Sequence, residues 1–234
     1  MYFHAHNDKK NSGSNQAGNG RRRNLHSERG VPGTVISLRE GKQSDHEALV
    51  RLVIFSAPSF LSTLFGSHVE ELLKYLIQQE KNLYSYRHSL VAETHGILAG
   101  VALGYNRNTM HKEWYLTGIH IARCLGLSFP PFLFRLIRFH RSFAPLHETD
   151  WYVSHLAVAP HLRRQGTGEA LINRVSQRAC QQGLERITLD VEAENQSALK
   201  FYHRLGFLQE KESPPAKFGG HTFHFLRLYR NLKP

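Results

Sequence analysis

The segment Arg163-Arg164-Gln165-Gly166-Thr167-Gly168 constrains this chain more than any other. It follows an apolar run, Leu156-Ala157-Val158, and precedes a stretch with Leu171, Ile172, Val175 and Ala179 at helical spacing. The expectation is a strand, a tight loop, and a helix from Gly168 to Gln182 closed by Gly183. Two glycines one residue apart let the backbone turn sharply and let its N–H groups converge. With the positive end of the helix dipole behind them, those amides form a cradle for an anion, and Arg163 and Arg164 add charge at its rim. A phosphate or pyrophosphate is the expected ligand. No Gly-Lys-Ser/Thr follows, so this is not a nucleoside-triphosphate loop. Leu171 stands where a dinucleotide fingerprint needs a third glycine. Taken alone, the loop also reads as an ordinary strand-to-helix turn.

The surrounding elements alternate. Trp151 to Val158 reads as a strand, Arg186 to Val191 as a second, and Ser197 to Leu205 as a helix stopped by Gly206. Phe207 to Gln209 and His221 to Tyr229 read as closing strands. That order implies a layered α/β sheet. Earlier, Val35 to Leu38 reads as a strand, and Leu90–Glu93 and Ile97–Leu103 as a hairpin turned by Thr94-His95-Gly96. Ser44-Asp45-His46-Glu47 and Ser67-His68-Val69-Glu70 read as capping boxes opening two helices. The second helix carries an apolar stripe of Val69, Leu72, Leu73, Leu76 and Ile77, the mark of a packing face. Between Asn106 and Asp150 lies an insert. Ile119–Leu127 and Phe132–Arg141 have helical character there around a break at Pro130-Pro131. Arg123, Arg135, Arg138 and Arg141 give the insert a basic face beside Phe129, Phe132, Phe134 and Phe139. A lid over a pocket, a membrane-surface helix and ordinary packing all fit that pattern.

Composition bounds the rest. With 234 residues and 41% hydrophobic content, the chain can build one domain, expected from Gly33 to Pro234. Residues 1–32 are rich in Asn, Gly, Ser, Lys and Arg and are expected to form a disordered basic tail. The net charge of +11 invites a nucleic-acid reading, but no helix-turn-helix, zinc knuckle or aromatic RNA-binding signature accompanies it. No apolar run reaches the roughly 18 residues that span a bilayer, and no apolar signal segment opens the chain. Two cysteines, Cys124 and Cys180, are too few for a disulfide framework, so a reducing, cytoplasmic compartment is expected. The 16 histidines show no zinc-site spacing, so no metal is expected.

A second motif completes the picture. Asn195-Gln196-Ser197-Ala198-Leu199-Lys200-Phe201-Tyr202 is followed by Leu205-Gly206-Phe207. Together with Leu156-Ala157-Val158-Ala159-Pro160 and the Arg163–Gly168 loop, it resembles the GNAT superfamily of acetyl-CoA-dependent N-acetyltransferases. The resemblance is strong over Trp151–Phe207, and the element order over Val35–Leu103 is consistent with it. It implies the GNAT fold, a mixed central sheet of about seven strands with helices on both faces and splayed central strands. It also implies acetyl-CoA as co-substrate. The pantetheine arm would lie along Leu156, Ala157 and Val158, and the pyrophosphate on Arg163, Arg164, Gln165, Gly166, Thr167 and Gly168. Asn195 and the helix start at Ala198 would touch the pantetheine. Tyr202 would sit near the thioester sulfur, where a phenol can protonate a leaving thiolate.

The implied reaction is direct attack of an amine on the thioester, which needs a base. Asp150 and Glu148 flank the start of the central strand. Strict strand alternation puts Asp150, Tyr152 and Ser154 on one face and Trp151, Val153 and His155 on the other. Asp150 is the expected base, although a solvated edge carboxylate would look the same. His155 could shuttle a proton or be structural. The expected acceptor is a small-molecule amine, with a peptide N-terminus or lysine as the alternative. A non-catalytic CoA-binding or nucleic-acid-associated protein is the reading from another class. Phe55–Phe65 and the insert should wall the acceptor site. Phe60, Phe65, Tyr105, Trp114, Tyr115 and Phe129 would line it or join the core. An edge strand near His221–Tyr229 would be the place for a second copy to pair.

Overall fold

The computed structural model describes residues 36–139, 145–218 and 220–232. In chain order its strands are β1 Ser37–Glu40, β2 Ser89–Thr94, β3 Ile97–Asn106, β4 Asp150–Val158, β5 Arg186–Glu192, β6 Leu208–Glu212, β7 Ala216–Phe218, β8 His221–Phe223 and β9 Phe225–Asn231. Its helices are α1 His46–Ser56, α2 Pro58–Phe65, α3 Val69–Gln78, α4 Arg107–Leu125, α5 Phe129–Phe139, α6 Thr167–Gln181 and α7 Gln196–Arg204. The basic tail expected over residues 1–32 lies outside the described residues.

Seven strands form one sheet in the order β1-β2-β3-β4-β5-β9-β6, and β7 and β8 form a separate hairpin. Every neighbouring pair in the large sheet is antiparallel except β4 and β5, which run parallel. This is the mixed α/β GNAT sheet that the sequence implies. Each face has its own core, because side chains alternate along each strand. On one face α6 and α7 bury Leu171, Ile172, Val175, Ala179 and Leu199 against Val153, Ile187, Leu189 and Leu228. On the other, α1 to α5 bury Leu49, Val53, Leu61, Leu72, Leu76 and Phe132 against Val91, Val101, Leu103 and Ala157.

Several local expectations need correction. The first capping box works through Asp45 rather than Ser44. A short 3-10 turn, Gln43–Asp45, precedes α1, and the Asp45 carboxylate accepts the Lys42 N–H at 2.7 Å while pairing with Arg39. At the second box a turn at Gly66–His68 comes first, and His68 caps α3 with no side-chain bond. Pro130 and Pro131 do not break a helix. They stand in the first turn of α5, where a missing N–H costs nothing. The true break is Gly126, at φ 49°. The segment His221–Tyr229 is two strands split at His224, and β9 lies between β5 and β6. Strand β9 is therefore interior, whereas β8 pairs only with β7 in the small hairpin. Among the described residues, no single helix is long and apolar enough to cross a membrane.

Leu171 is fully buried at the centre of the α6 face. Leu171→Ala is expected to lower unfolding free energy by about 3 kcal/mol, through lost transfer energy and a residual cavity. Urea denaturation of the two proteins measures this directly.

Candidate active site

The β4–β5 pair sets the geometry. Its register contains only Asp150↔Arg186, Trp151↔Ile187 and Tyr152↔Thr188. Both strands continue for several residues, so they part after Tyr152. From Val153 to Val158, β4 has a strand partner only on its β3 side, where Ala102, Val101 and Gly100 face Leu156, Ala157 and Val158. The splay leaves one backbone edge of β4 open, and the edge leads straight to the glycine loop.

The loop's two glycines do different jobs. Gly166 sits at φ 82° as the N-cap of α6, a left-handed conformation that disfavours any Cβ. A Cβ on Gly168 would meet the Phe201 ring at 3.1 Å, so this glycine lets α6 approach α7. Arg164 holds φ 62° without being glycine, a conformation that costs about 1 kcal/mol. The first-turn amides of α6 have no carbonyl within the helix to donate to, and together with the helix dipole they form a donor set suited to a phosphate. Thr167 is buried, with its hydroxyl donating to the Leu162 carbonyl at 3.5 Å. The Gln165 side-chain carbonyl is buried with no hydrogen-bond partner among the described residues, an acceptor left open beside the cradle. Arg163 donates to the Val158 carbonyl at 3.3 Å and stacks its guanidinium 4.7 Å over Phe55.

Asn195 caps α7, its side-chain oxygen accepting from the Ala198 N–H at 3.1 Å. Tyr202, on the next turn, is buried with its ring edge-on to Phe201 at 5.2 Å and Phe207 at 5.4 Å. Burial pushes its phenol pKa well above the usual value, so it stays a proton donor at neutral pH.

Asp150 does not face an open site. It is 0% exposed, and it accepts from Arg186 Nε at 2.8 Å, Arg186 Nη2 at 3.4 Å and the His147 N–H at 2.9 Å. Those bonds tie the start of β4 to β5, so Asp150 secures the closed end of the strand pair instead of presenting an exposed carboxylate as the sequence suggested. The face assignment along β4 also changes. The β3 register slips between Leu103 and Gly104, leaving Ser154 as an extra residue. Such a bulge reverses alternation beyond it. His155 therefore joins Tyr152 on the α1 side.

That side holds a group that alternation alone does not reveal. Tyr152 Oη donates to Asp190 Oδ2 at 3.1 Å, across the point where β4 and β5 part. Arg227 on β9 grips the same carboxylate, through Nε at 2.7 Å and Nη2 at 2.8 Å. Tyr105 lies beside Tyr152, ring centroids 5.8 Å apart. Burial first, and the Asp190 charge second, raise the Tyr152 pKa well above its usual value. A signal was available in the sequence: Ile187, Leu189 and Val191 face one core, so Asp190 is a carboxylate aimed at the opposite core from a central strand. Phe60 on α2 meets Phe139 of α5 at 5.2 Å, Phe223 of β8 at 5.8 Å and Phe225 at 5.4 Å. Phe65 and Tyr105 are buried in the core on this face and Phe60 and Phe129 pack against that core, whereas Trp114 and Tyr115 are exposed on α4.

His155 is buried beside α1 and tilted against Tyr84, with centroids 5.8 Å apart. The single hydrogen of Ser56 goes to the Val53 carbonyl at 2.7 Å. Ser56 Oγ therefore accepts from His155 Nδ1 at 2.8 Å, which leaves Nε2 with its lone pair. Desolvation depresses the His155 pKa to about 4. The folded state thus binds this proton less readily than the unfolded chain. Its stabilising contribution is complete above pH ~6.5 and is lost as pH falls toward 4. Compared with His155→Gln, the parent is expected to lose about 3 kcal/mol more between pH 7.5 and pH 4. Urea titrations at the two pH values test this, and equal losses would contradict it.

Comparison with known proteins agrees with this geometry. The Acetyltransferase (GNAT) family matches residues 126–207. An uncharacterized N-acetyltransferase of Methanocaldococcus jannaschii, MJ1207, is 40% identical over 72 residues, covering 31% of this chain and 28% of that protein. The N-alpha-acetyltransferase MAK3 of Arabidopsis thaliana is 35% identical over 60 residues, covering 26% of this chain and 32% of its own length. The chain thus spans less than a third of the curated relatives it matches. A crystal structure of an acetyltransferase superposes with a TM-score of 0.62 at 21% identity, covering 84% of this chain and 100% of that one, a likeness of fold. The splayed sheet, the glycine loop and this family match all fall on one site: residues 126–207 match the GNAT acetyltransferase family, and the chain around them has the GNAT fold.

Proposed function

We propose that the protein transfers acetyl from acetyl-CoA to an amine. The observation that carries this reading is the parting of β4 from β5 directly ahead of a glycine-capped helix N-terminus. An open strand edge suits the amide-bearing pantetheine arm, and the helix N-terminus suits its pyrophosphate. The residues fit that group: Leu156, Ala157 and Val158 for the arm, Arg163 to Gly168 for the pyrophosphate, and Asn195 and Ala198 at the neighbouring helix start. The acyl donor supplies an activated thioester, and the remaining roles fall to this chain.

The attacking nitrogen must shed a proton as it bonds to the thioester carbon. Tyr152 can take that proton on its phenol oxygen while passing its own to Asp190, to which it already donates. Arg227 keeps the Asp190 carboxylate oriented for that exchange. As the carbon–sulfur bond breaks, Tyr202 gives its proton to the thiolate. The chemistry needs no covalent enzyme intermediate.

The acceptor is read as a small molecule, because Phe60, Phe139, Phe223 and Phe225 close together over the α1 side of the sheet. Transfer to a protein amine is the second reading, and the match to a plant N-alpha-acetyltransferase favours it.

Isothermal titration with acetyl-CoA tests the first step. The parent is expected to bind, and Gly166→Asp to lose binding, because a carboxylate would occupy the anion cradle on an unfavourable φ. A parent that does not bind would overturn the proposal. Release of CoA with an amine library and with peptides then separates the two acceptor classes. With a working acceptor, Tyr152→Phe is expected to lower kcat by about 100-fold. Asp150→Asn is expected to lower stability by about 2 kcal/mol while leaving kcat within about threefold, because weakening this largely buried ion pair acts on folding alone.

A further inference from the structure

The insert carries a surface that acetyl transfer does not use. α5, Phe-Pro-Pro-Phe-Leu-Phe-Arg-Leu-Ile-Arg-Phe, is apolar on two sides. Its inner side is accounted for: Phe132 stacks on Phe65, and Phe139 meets Phe60 and the β7–β8 hairpin. Its outer side has no cover among the described residues. Leu133, Phe134 and Ile137 follow one another on that face at helical spacing, with Phe134 62% and Ile137 65% exposed. Leu127, in the link from α4, is 99% exposed. A single exposed apolar side chain is ordinary, but a continuous row along one helix marks a contact surface.

Charge decides what the surface contacts. From Trp114 to His147 the chain has no aspartate or glutamate and four arginines. Arg123 stands exposed in the last turn of α4, next to the link. Arg135 faces inward and donates to the Leu64 carbonyl at 3.1 Å. A second copy laid on this face would offer Arg123 no acidic partner from α5 or from its link to α4, neither of which carries an aspartate or glutamate. An anionic lipid surface offers the complement to both features at once, negative headgroups above an apolar layer. At about 1.5 Å per residue, α5 is far too short to cross a bilayer, and its length suits a helix lying in the interface.

We propose that the outer face of α5, with Leu127 and Arg123 beside it, rests on an anionic membrane surface. Leu133, Phe134 and Ile137 enter the boundary between headgroups and acyl chains, and Arg123 meets the headgroups. The inference stands on surface composition alone and does not depend on the acetyl-transfer reading.

Flotation of the full chain with phosphatidylcholine vesicles, with and without phosphatidylglycerol, tests it. The expected result is at least about tenfold stronger partitioning onto the anionic vesicles. The double substitution Phe134→Ser with Ile137→Ser is expected to weaken partitioning at least about tenfold. It should leave the melting temperature unchanged, since both side chains are exposed. Arg123→Glu should reduce the preference for anionic lipid. Equal binding to both vesicle types, or equal binding by parent and double variant, would overturn the proposal. So would a concentration-dependent dimer, seen by sedimentation, that the double substitution dissolves, because the occupant would then be a second copy.

Discussion

The site depends on where β4 stops pairing with β5. Three rungs hold the two parallel strands together, and beyond Tyr152↔Thr188 they diverge. A sheet that stayed paired would satisfy its own backbone along all of β4 and leave nothing for a ligand to join. Each side of the fork is secured by ionic contacts. At its closed end, Asp150 and Arg186 form a largely buried pair that Glu210 of β6 extends through its own contact with Arg186. At its mouth, Asp190 receives Tyr152 from one strand and Arg227 from another. A charge buried this deeply is tolerated only when paired and hydrogen-bonded. These contacts fix the place where the two strands part.

The two faces of the sheet divide the work. The α6–α7 face is aliphatic and closely packed, and it holds the glycine loop against β4 and α7. The opposite face is aromatic. There α2, α5 and the β7–β8 hairpin meet through Phe60, Phe139 and Phe223, above the tyrosines of β3 and β4. Helix α5 thus belongs to two surfaces, one closing the α1 side of the sheet and one turned outward. Any partner that grips its outer side acts on an element packed directly against that aromatic cluster.

Much of the fold was legible because its signals are local. The hairpin turn at His95 and Gly96, both at positive φ, follows from residue type. The α3 stripe follows from spacing, and Leu72, Leu73, Leu76 and Ile77 are all buried. The glycine loop was readable for the same reason, since its conformation depends on two missing side chains. Caps were less legible. Asp45 out-competes Ser44 because Arg39, a strand away, holds its carboxylate in place. The surroundings of Asp150 were not legible, because a carboxylate at a strand end looks alike whether it meets solvent or a buried arginine. The partner that decides it, Arg186, is 36 residues away.

The sequence by itself determined the alternation of strands and helices, the glycine-capped start of α6 and the two-motif signature, since each is written in residues close together along the chain. Only the tertiary structure decided which side chains share the fork. One bulged residue, Ser154, moves His155 to the other face of the sheet. The meeting of Tyr152, Asp190 and Arg227 needs three strands brought into register. Such contacts come from the order of strands in the sheet, and that order is settled by long-range pairing and burial rather than by any local run of residues.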